Sequence, residues 1–220
     1  MSNAYTIIVA DDHPLFRAAL TQAIGAQVDG AKVLEAEHLE HLERQMHSEI
    51  DLVLLDLHMP GANGFSGLIY LRNHFPSVPV IVISGNEQAI VIHRAMHFGA
   101  AGFIPKSSSM SDIIEAITVV LNGGQWVPAD LPAANKEMDA QDSKFAGQLA
   151  SLTPQQFKVM VMLTEGLLNK QIAYELSVSE ATIKAHVTAI LRKLGVYSRT
   201  QAVILAGRLR IEHPQDESVK

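Results

Sequence analysis

Residues 51–61 read Asp-Leu-Val-Leu-Leu-Asp-Leu-His-Met-Pro-Gly, a short apolar run broken by a carboxylate at Asp56 and closed by a Pro-Gly turn. Short apolar runs bounded by polar or turn residues are typical of strands that are buried on both faces of a sheet. Residues 80–84, Val-Ile-Val-Ile-Ser, have the same form. The two runs therefore predict strands of a parallel sheet that helices cover on both sides.

The chain on either side of this run alternates strand and helix patterns. Strands are predicted at Tyr5–Ala10, Ala31–Ala36, Asp51–Leu57, Val80–Ser84 and Gly102–Ile104. Helices are predicted at Pro14–Ala26, Leu39–His47, Gly64–His74, Gln88–Phe98 and Met110–Leu121. In the first helix Leu15, Ala19 and Leu20 are expected to share one face. Five such repeats predict an α/β domain built on a doubly wound, five-stranded parallel sheet.

The pattern changes after Asn122-Gly123-Gly124, which ends the last helix of the sheet domain. A stretch rich in Ala, Asp, Lys and Gln follows and is interpreted as a linker. From Leu152 onward the periodicity is purely helical, with helices predicted at Pro154–Thr164, Asn169–Leu176, Ser179–Leu194 and Arg199–Leu209. The predicted organisation is a sheet domain at 4–124, a linker at 125–148, an all-α domain at 149–212 and a tail at 213–220.

Charge divides the 220-residue chain in the same way. The formal net charge is −6, from 17 basic and 23 acidic residues. Residues 151–212 carry eight lysines and arginines against four glutamates, a net charge of +4, which leaves −10 for the rest. A basic domain joined to an acidic one favours contact between the basic end and a polyanion, although ordinary surface charge would give the same numbers.

Composition excludes several classes of protein. A hydrophobic fraction of 48% with 18% charged residues is typical of a globular chain with a sizeable core, not of a disordered one. No cysteine is present, which excludes disulfides, thiol catalysis and cysteine-based metal sites. No apolar run is long enough for a membrane span and no secretory signal is apparent, so the cytoplasm is the expected location.

Several polar side chains are predicted to meet at the carboxyl ends of the strands. Asp11 and Asp12 follow the first strand, Asp56 ends the third, Ser84 ends the fourth and Lys106 follows the fifth. Clustered carboxylates repel one another, and an all-oxygen ligand set selects a hard cation such as Mg²⁺. An aspartate in such a site is a competent nucleophile for an aspartyl phosphate. Taken alone, Asp11 or Asp12 is explained as simply by helix capping.

These positions, together with Met59-Pro60-Gly61, Gly64, Gly85 and Pro105, resemble a two-component receiver domain, which has a flavodoxin-like fold. The resemblance covers about residues 4–124. It implies that Asp56 accepts a phosphoryl group from a sensor histidine kinase. It also implies that Asp12, Asp56 and the backbone carbonyl of His58 bind Mg²⁺, with Asp11 assisting through water. Ser84 and Lys106 would sense the phosphorylated state, and Phe103, which lacks a hydroxyl, stands at the family's aromatic switch position.

The helical end contains a helix, a tight turn at Ser177-Val178-Ser179 and a longer helix, which is the arrangement of a helix-turn-helix. Its motifs, among them Leu152-Thr153-Pro154, residues 169–173 (NKQIA) and residues 182–187 (TIKAHV), resemble the NarL/FixJ (LuxR-type) DNA-binding domain. The resemblance implies that base edges are contacted by Lys184, Ala185 and Thr188. It implies backbone contacts from Lys170, His186, Arg192, Lys193 and Arg199.

Two family positions differ in this chain. Gln156 stands where glutamate is usual, and Thr188 stands where a longer polar or basic side chain is common, so the base preference of relatives cannot be transferred. Two histidine pairs, His38 with His41 and His93 with His97, have helical spacing but lack the glutamate of an H-E-x-x-H zinc site. A surface or interface location explains them better than a zinc site does.

The sequence thus predicts a phosphorylation-dependent transcriptional regulator that is not an enzyme. Its expected partners are a sensor kinase, double-stranded DNA, a second copy of the chain and RNA polymerase. We also expect phosphorylation to release the DNA-binding helix from the receiver. The alternatives are a receiver-like transcription factor that acts without phosphorylation and an aspartate-nucleophile phosphatase, which would need a second acid where His58 stands. The cognate kinase, the operator and the sign of regulation are not encoded in any motif.

Overall fold

The structure is a computed structural model that describes residues 5–47, 49–61, 64–133, 144–149 and 151–207. Its first part is a five-stranded, all-parallel sheet with the strand order β2-β1-β3-β4-β5. The strands are β1 (Thr6–Ala10), β2 (Lys32–Ala36), β3 (Leu52–Asp56), β4 (Val80–Ser84) and β5 (Gly102–Pro105). The predicted α/β fold class is confirmed.

Five helices surround this sheet: α1 (Pro14–Gln27), α2 (Leu39–Gln45), α3 (Ser66–His74), α4 (Ala89–His97) and α5 (Met110–Leu121). Alternate residues of each strand enter two separate apolar clusters. In β3, Leu54 packs with α1 and α5 on one face, whereas Val53 and Leu55 pack with α3 and α4 on the other. Burial on both faces explains why the central strands are continuously apolar.

The predicted face of α1 is wrong at Leu15, which is 89% exposed, and at Ala19, which is also exposed. The helix instead buries Leu20 and Ile24, and the partly buried Phe16 packs on the same cluster. Residues 16, 20 and 24 are four apart and so share one side of a helix, and this side excludes Leu15. The exposed leucine lies two residues after His13, at the rim of the sheet.

The second part of the chain is helical, with α6 (Pro154–Thr164), α7 (Asn169–Glu175), α8 (Glu180–Lys193) and α9 (Arg199–Ala206). Side chains begin most of these helices at the predicted places. Thr153 and Gln156 form a reciprocal capping box on α6, so glutamine performs the capping expected of glutamate. Ser179 caps α8 and Ser198 caps α9. The predicted end of the last helix at Leu209 lies outside the described residues.

The stretch predicted as a linker is partly structured. At its start, Trp126 accepts a hydrogen bond from the backbone N–H of Phe103 and so adds to the edge of β5. At its end, residues 144–149 are helical, and Phe145 and Leu149 are fully buried. These two apolar residues, four positions apart, form too short a pattern to predict a helix from sequence. Residues 134–143 lie outside the described part.

The two parts of the chain are in contact through α6. Lys158 on α6 forms an ion pair with Glu43 on α2, with 2.5 Å between Nζ and Oε2. Next to this pair the rings of Tyr70 on α3 and Phe157 on α6 lie 6.0 Å apart. Burial, followed by the nearby Glu43 carboxylate, raises the pKa of Tyr70 to about 12. An open cavity of about 340 Å³ lies beside these residues, between α2, α6 and the end of α7.

None of the helices in the described part of the chain combines the length and apolar character that crossing a membrane requires.

Candidate functional site

The carboxyl ends of β1 and β3 bring two buried acids together. Asp11 directly follows β1 and Asp56 is the last residue of β3, and each is only 2% exposed. The strands are hydrogen-bonded neighbours, with Ala10 opposite Leu55, so sheet register alone places the two carboxylates side by side. Asp12 follows at the edge of the same pocket, with 32% of its side chain exposed. The structure thus gathers the three acids singled out in the sequence.

Lys106 supplies positive charge to this pocket. Its Nζ lies 2.8 Å from Asp11 Oδ2 and 3.1 Å from Asp56 Oδ2. The ammonium also lies 5.2 Å from the centre of the Phe16 ring, which gives it a favourable cation–π contact. The backbone N–H of Lys106 donates to the carbonyl of Ser84, and this bond fixes the loop after β5 against β4. The sheet therefore positions Lys106 as it positions the acids.

Asp56 has the electrostatics of a reactive carboxylate. Burial raises its pKa above the ordinary value of 3.8, and the Asp11 charge acts in the same direction, while Lys106 and His58 lower it. Its Oδ1 has no hydrogen-bond partner among the described residues. An unpaired oxygen on a buried carboxylate is costly unless a ligand satisfies it. The carboxylate is therefore suited to receive a ligand or a reacting group.

The pocket fits a divalent cation. Asp11, Asp12 and Asp56 offer closely spaced carboxylate oxygens, which are the ligands that Mg²⁺ prefers. Three carboxylates and one ammonium leave a formal charge of −2, which one divalent ion would neutralise. His58 is half-buried and stands two residues after Asp56. Its backbone carbonyl therefore belongs to the loop that leaves the pocket after β3.

His13 is a member of this pocket that sequence reasoning missed. Its Nδ1 lies 2.7 Å from Asp12 Oδ1, 3.1 Å from Asp11 Oδ1 and 3.3 Å from Lys106 Nζ. The position of His13 directly after Asp11 and Asp12 was a signal for a place in the pocket. A histidine just before a helix, however, more often points into solvent than into a binding pocket. Here the backbone N–H of His13 donates to Asp11 Oδ1, which turns the chain and brings the ring back over the acids.

Ser84 and Phe103 are both buried. The Ser84 hydroxyl accepts a hydrogen bond from the backbone N–H of Asn86, at 3.1 Å. Ser84 lies one position beyond Ile83, the β4 partner of Asp56 in the strand register, and so at the same edge of the sheet. Phe103 lies opposite Val82 in β5 and is fully buried.

Helix α8 presents the side chains that the resemblance assigns to DNA. Lys184, Ala185 and Thr188 are exposed, and they recur on one side of the helix. Lys184 pairs with Glu180 one turn earlier, at 3.0 Å between exposed groups, a pair that contributes little to stability. Lys170 and Arg192 are exposed as well, and His186 is half-buried.

Two of the other assigned residues are engaged within the domain. Lys193 Nζ donates to the carbonyl of Ser151 and, at 2.8 Å, to Gln156 Oε1. The Arg199 guanidinium donates to the Leu167 carbonyl and to Asn169 Oδ1. These contacts hold α6, α7 and the helix ends together. The family motifs give no sign of this structural role.

Comparison with known proteins assigns a family to each part of the chain. Residues 7–118 match the response regulator receiver domain, and residues 150–206 match the luxR family of bacterial regulatory proteins. The glycerol metabolism activator of Pseudomonas putida is 44% identical over 92% of this chain and 95% of its own length. The nitrate/nitrite response regulator protein NarL of Escherichia coli is 31% identical over 94% of this chain and 96% of its own length.

Solved structures show the same fold. The RcsB response regulator of Salmonella typhimurium aligns with 94% of this chain and 100% of its own, at a TM-score of 0.54 and 23% identity. A LuxR family DNA-binding response regulator from Silicibacter pomeroyi, 32% identical, aligns with 57% of this chain and 98% of its own, at a TM-score of 0.50.

A receiver domain followed by a helix-turn-helix domain defines the class of response regulators that bind DNA and regulate transcription. Within that class, the LuxR-type helices and the full-length likeness to NarL place this chain in the NarL/FixJ family.

Proposed function

We propose that Asp56 is phosphorylated by a sensor histidine kinase and that this modification controls dimerisation and DNA binding. The observation that carries the proposal is the Asp56 carboxylate, which is buried, has a raised pKa and lacks a partner at Oδ1, while Lys106 lies 3.1 Å from Oδ2. A structural aspartate in a core would have its oxygens satisfied by hydrogen bonds. The Asp56 carboxylate is instead arranged to accept a phosphoryl group.

In the proposed reaction an Asp56 carboxylate oxygen attacks the phosphorus of a phosphohistidine on the kinase. The P–N bond breaks, the histidine leaves with the electron pair, and an acyl phosphate forms on Asp56. Mg²⁺ held by Asp12, Asp56 and the His58 carbonyl, with Asp11 assisting, would supply electrophilic neutralisation of the phosphoryl oxygens. Lys106, already beside Asp56, provides a second positive charge for them.

Phosphorylation is proposed to change the conformation of the loops that lie next to Asp56. In the proposal the Ser84 hydroxyl, which accepts a hydrogen bond from the backbone N–H of Asn86, donates its own proton to a phosphoryl oxygen. Lys106 turns from Asp11 toward the same group. The loop that follows Ser84 leads into α4, so these movements bias that helix. Phe103 contributes packing alone, because it has no hydroxyl to donate.

Contact with DNA is assigned to α8, whose first half has an exposed side suited to a major groove. Lys184, Ala185 and Thr188 are proposed to meet base edges, and Lys170, His186 and Arg192 to meet phosphates. Lys193 and Arg199 are proposed to act by holding the domain together, since their side chains are used internally. Two copies on two half-sites would gain affinity through effective concentration. We also propose that the protein acts in the cytoplasm and has RNA polymerase as a partner.

The expectation that phosphorylation releases the DNA-binding helix from the receiver stays a prediction. The base-facing positions of α8 are exposed, and the receiver contacts α6 instead. We infer that phosphorylation acts by bringing two copies together. The contact between the receiver and α6 would fix the orientation of each DNA-binding domain relative to its receiver.

Asp56→Asn tests the proposal in a gel-shift assay on genomic fragments with and without acetyl phosphate. The wild-type protein is expected to bind DNA at least tenfold more tightly after phosphorylation, and the variant to show no stimulation. Asp29→Asn, an exposed receiver carboxylate, is the matched control and should respond like wild type. Equal stimulation of Asp56→Asn would remove phosphorylation of this residue from the mechanism. Turnover of phosphate esters by the wild type would favour the phosphatase alternative.

A further inference from the structure

The ring of His13 lies at the mouth of the acid pocket. Its side chain is 64% exposed, yet Nδ1 lies among the carboxylates, at 2.7 Å from Asp12, 3.1 Å from Asp11 and 3.9 Å from Asp56. Lys106 Nζ also faces it, at 3.3 Å. The hydrogen bond from the His13 backbone N–H to Asp11 Oδ1 fixes the turn that produces this arrangement. The imidazole is therefore part of the pocket rather than a neighbour of it.

The spacing of these atoms is that of a ligand set. One atom from each of Asp11, Asp12, His13 and Asp56 lies within 4.8 Å of the others. Four tetrahedral ligands at about 2.0–2.1 Å from a metal ion stand about 3.3 Å apart, and the distances from Nδ1 fall on both sides of that value. Asp56, whose side chain is 1% exposed, has an oxygen without a hydrogen-bond partner in the described structure, which points to a ligand independently of the clustering.

Nitrogen changes which ions such a pocket accepts. Oxygen ligands favour Mg²⁺, whereas imidazole is a good ligand for first-row transition ions, whose affinity rises from Mn²⁺ through Co²⁺ to Ni²⁺. Three carboxylates and the Lys106 ammonium leave a charge of −2, which suits either kind of divalent ion. An all-oxygen pocket would discriminate less strongly in favour of a transition ion.

We propose that His13 is a ligand that extends this pocket from Mg²⁺ to a divalent transition ion, taken here as Co²⁺ for measurement. The inference rests on the proposed function to the extent that both use Asp12 and Asp56 as ligands. It goes beyond it by giving His13, which takes no part in the proposed reaction, the role of a metal ligand. Because both ions would use Asp12 and Asp56 as ligands, Co²⁺ would compete with Mg²⁺ for the pocket.

The experiment titrates the metal-free, full-length protein with Co²⁺, followed by d–d absorption, and separately with Mg²⁺, followed by calorimetry. His13→Ala is expected to weaken Co²⁺ binding at least tenfold and to shift the absorption spectrum, because a nitrogen ligand is lost. Its Mg²⁺ affinity is expected to stay within threefold of wild type, because Mg²⁺ binds the oxygens. His13→Asn, measured in parallel with circular dichroism, separates loss of the ligand from loss of the turn.

His38→Ala is the matched control, because His38 belongs to a separate exposed group with Glu37 and His41 that also has ligand spacing. It should keep the pocket's Co²⁺ affinity. A loss of less than tenfold in His13→Ala, or a loss that appears in His38→Ala instead, would overturn the proposal. Absence of Mg²⁺ binding by the wild type would count against the proposed function, while the Co²⁺ comparison would still decide the role of His13.

Discussion

At the scale of single residues, Asp56 links the chemistry of the pocket to its stability. Burial raises the pKa of this carboxyl in the folded chain above 3.8, so folding favours its protonated form. The stabilisation that follows is fully present below about pH 3.8 and is lost as the pH rises through the raised pKa. Near neutral pH the metal-free pocket therefore carries the cost of a buried charge that Lys106 only partly offsets.

Asp56→Asn is accordingly expected to stabilise the metal-free protein at neutral pH. We expect a rise in melting temperature of roughly 2–5 °C at pH 7.5 in the presence of a chelator, measured by scanning calorimetry. The gain should shrink as the pH falls through the raised pKa of the wild-type carboxyl, and Mg²⁺ should narrow it by stabilising the wild type alone. Asp29→Asn should show no such gain, and an unstabilised Asp56→Asn would contradict the electrostatic account.

The residues of this pocket differ in how far sequence could predict them. Asp11, Asp56 and Lys106 follow from strand ends, because parallel register fixes where a residue after a strand must lie. His13 does not follow, since its role depends on one backbone hydrogen bond and a side-chain rotation. The same limit explains Lys193, which the family resemblance assigned to DNA but whose Nζ donates a hydrogen bond to Gln156.

At the scale of elements, helices and strands with strong patterns were predicted well. The bounds of β4, α5 and α6 coincide with their predictions, since each has a clear apolar period and a capping or turn residue at its start. The helical turn at 144–149 was missed because Phe145 and Leu149 are buried by tertiary packing, with no periodic run to announce it. Local patterns therefore predicted the elements, and packing decided the exceptions.

Lys184 and Lys193, both on α8, are predicted to have different roles, which two substitutions can separate. Lys184→Ala removes an exposed charge, so DNA affinity should fall by about 1–3 kcal/mol while the melting temperature stays within about 1 °C of wild type. Lys193→Ala removes bonds to Ser151 and Gln156 and should lower stability by about 1–2 kcal/mol. Fluorescence anisotropy on DNA at several salt concentrations and thermal unfolding distinguish the two. The reverse pattern would show that Lys193, not Lys184, faces DNA.

At the scale of the whole molecule, the contact between the receiver and α6 was not predictable from sequence. Glu43 and Lys158 lie in different domains, and neither stands in a motif that announces a partner. The contact is nevertheless connected to the phosphorylation site. The loop after Asp56 runs through Pro60, whose carbonyl accepts a hydrogen bond from the N–H of Leu39 at the start of α2, the helix that carries Glu43.

Reversing the charges of this contact tests whether it holds the domains together. Lys158→Glu places a second carboxylate beside Glu43, whose side chain is only 11% exposed, so the domains should separate at a cost of about 1–3 kcal/mol. Small-angle scattering should then show a larger radius of gyration, and the segment joining the domains should be cleaved faster by protease. Adding Glu43→Lys restores an opposite-charge pair and should reverse both effects. If the double variant is as extended as the single one, the ion pair does not hold the domains, and the Tyr70–Phe157 packing becomes the determinant to test with Phe157→Ala.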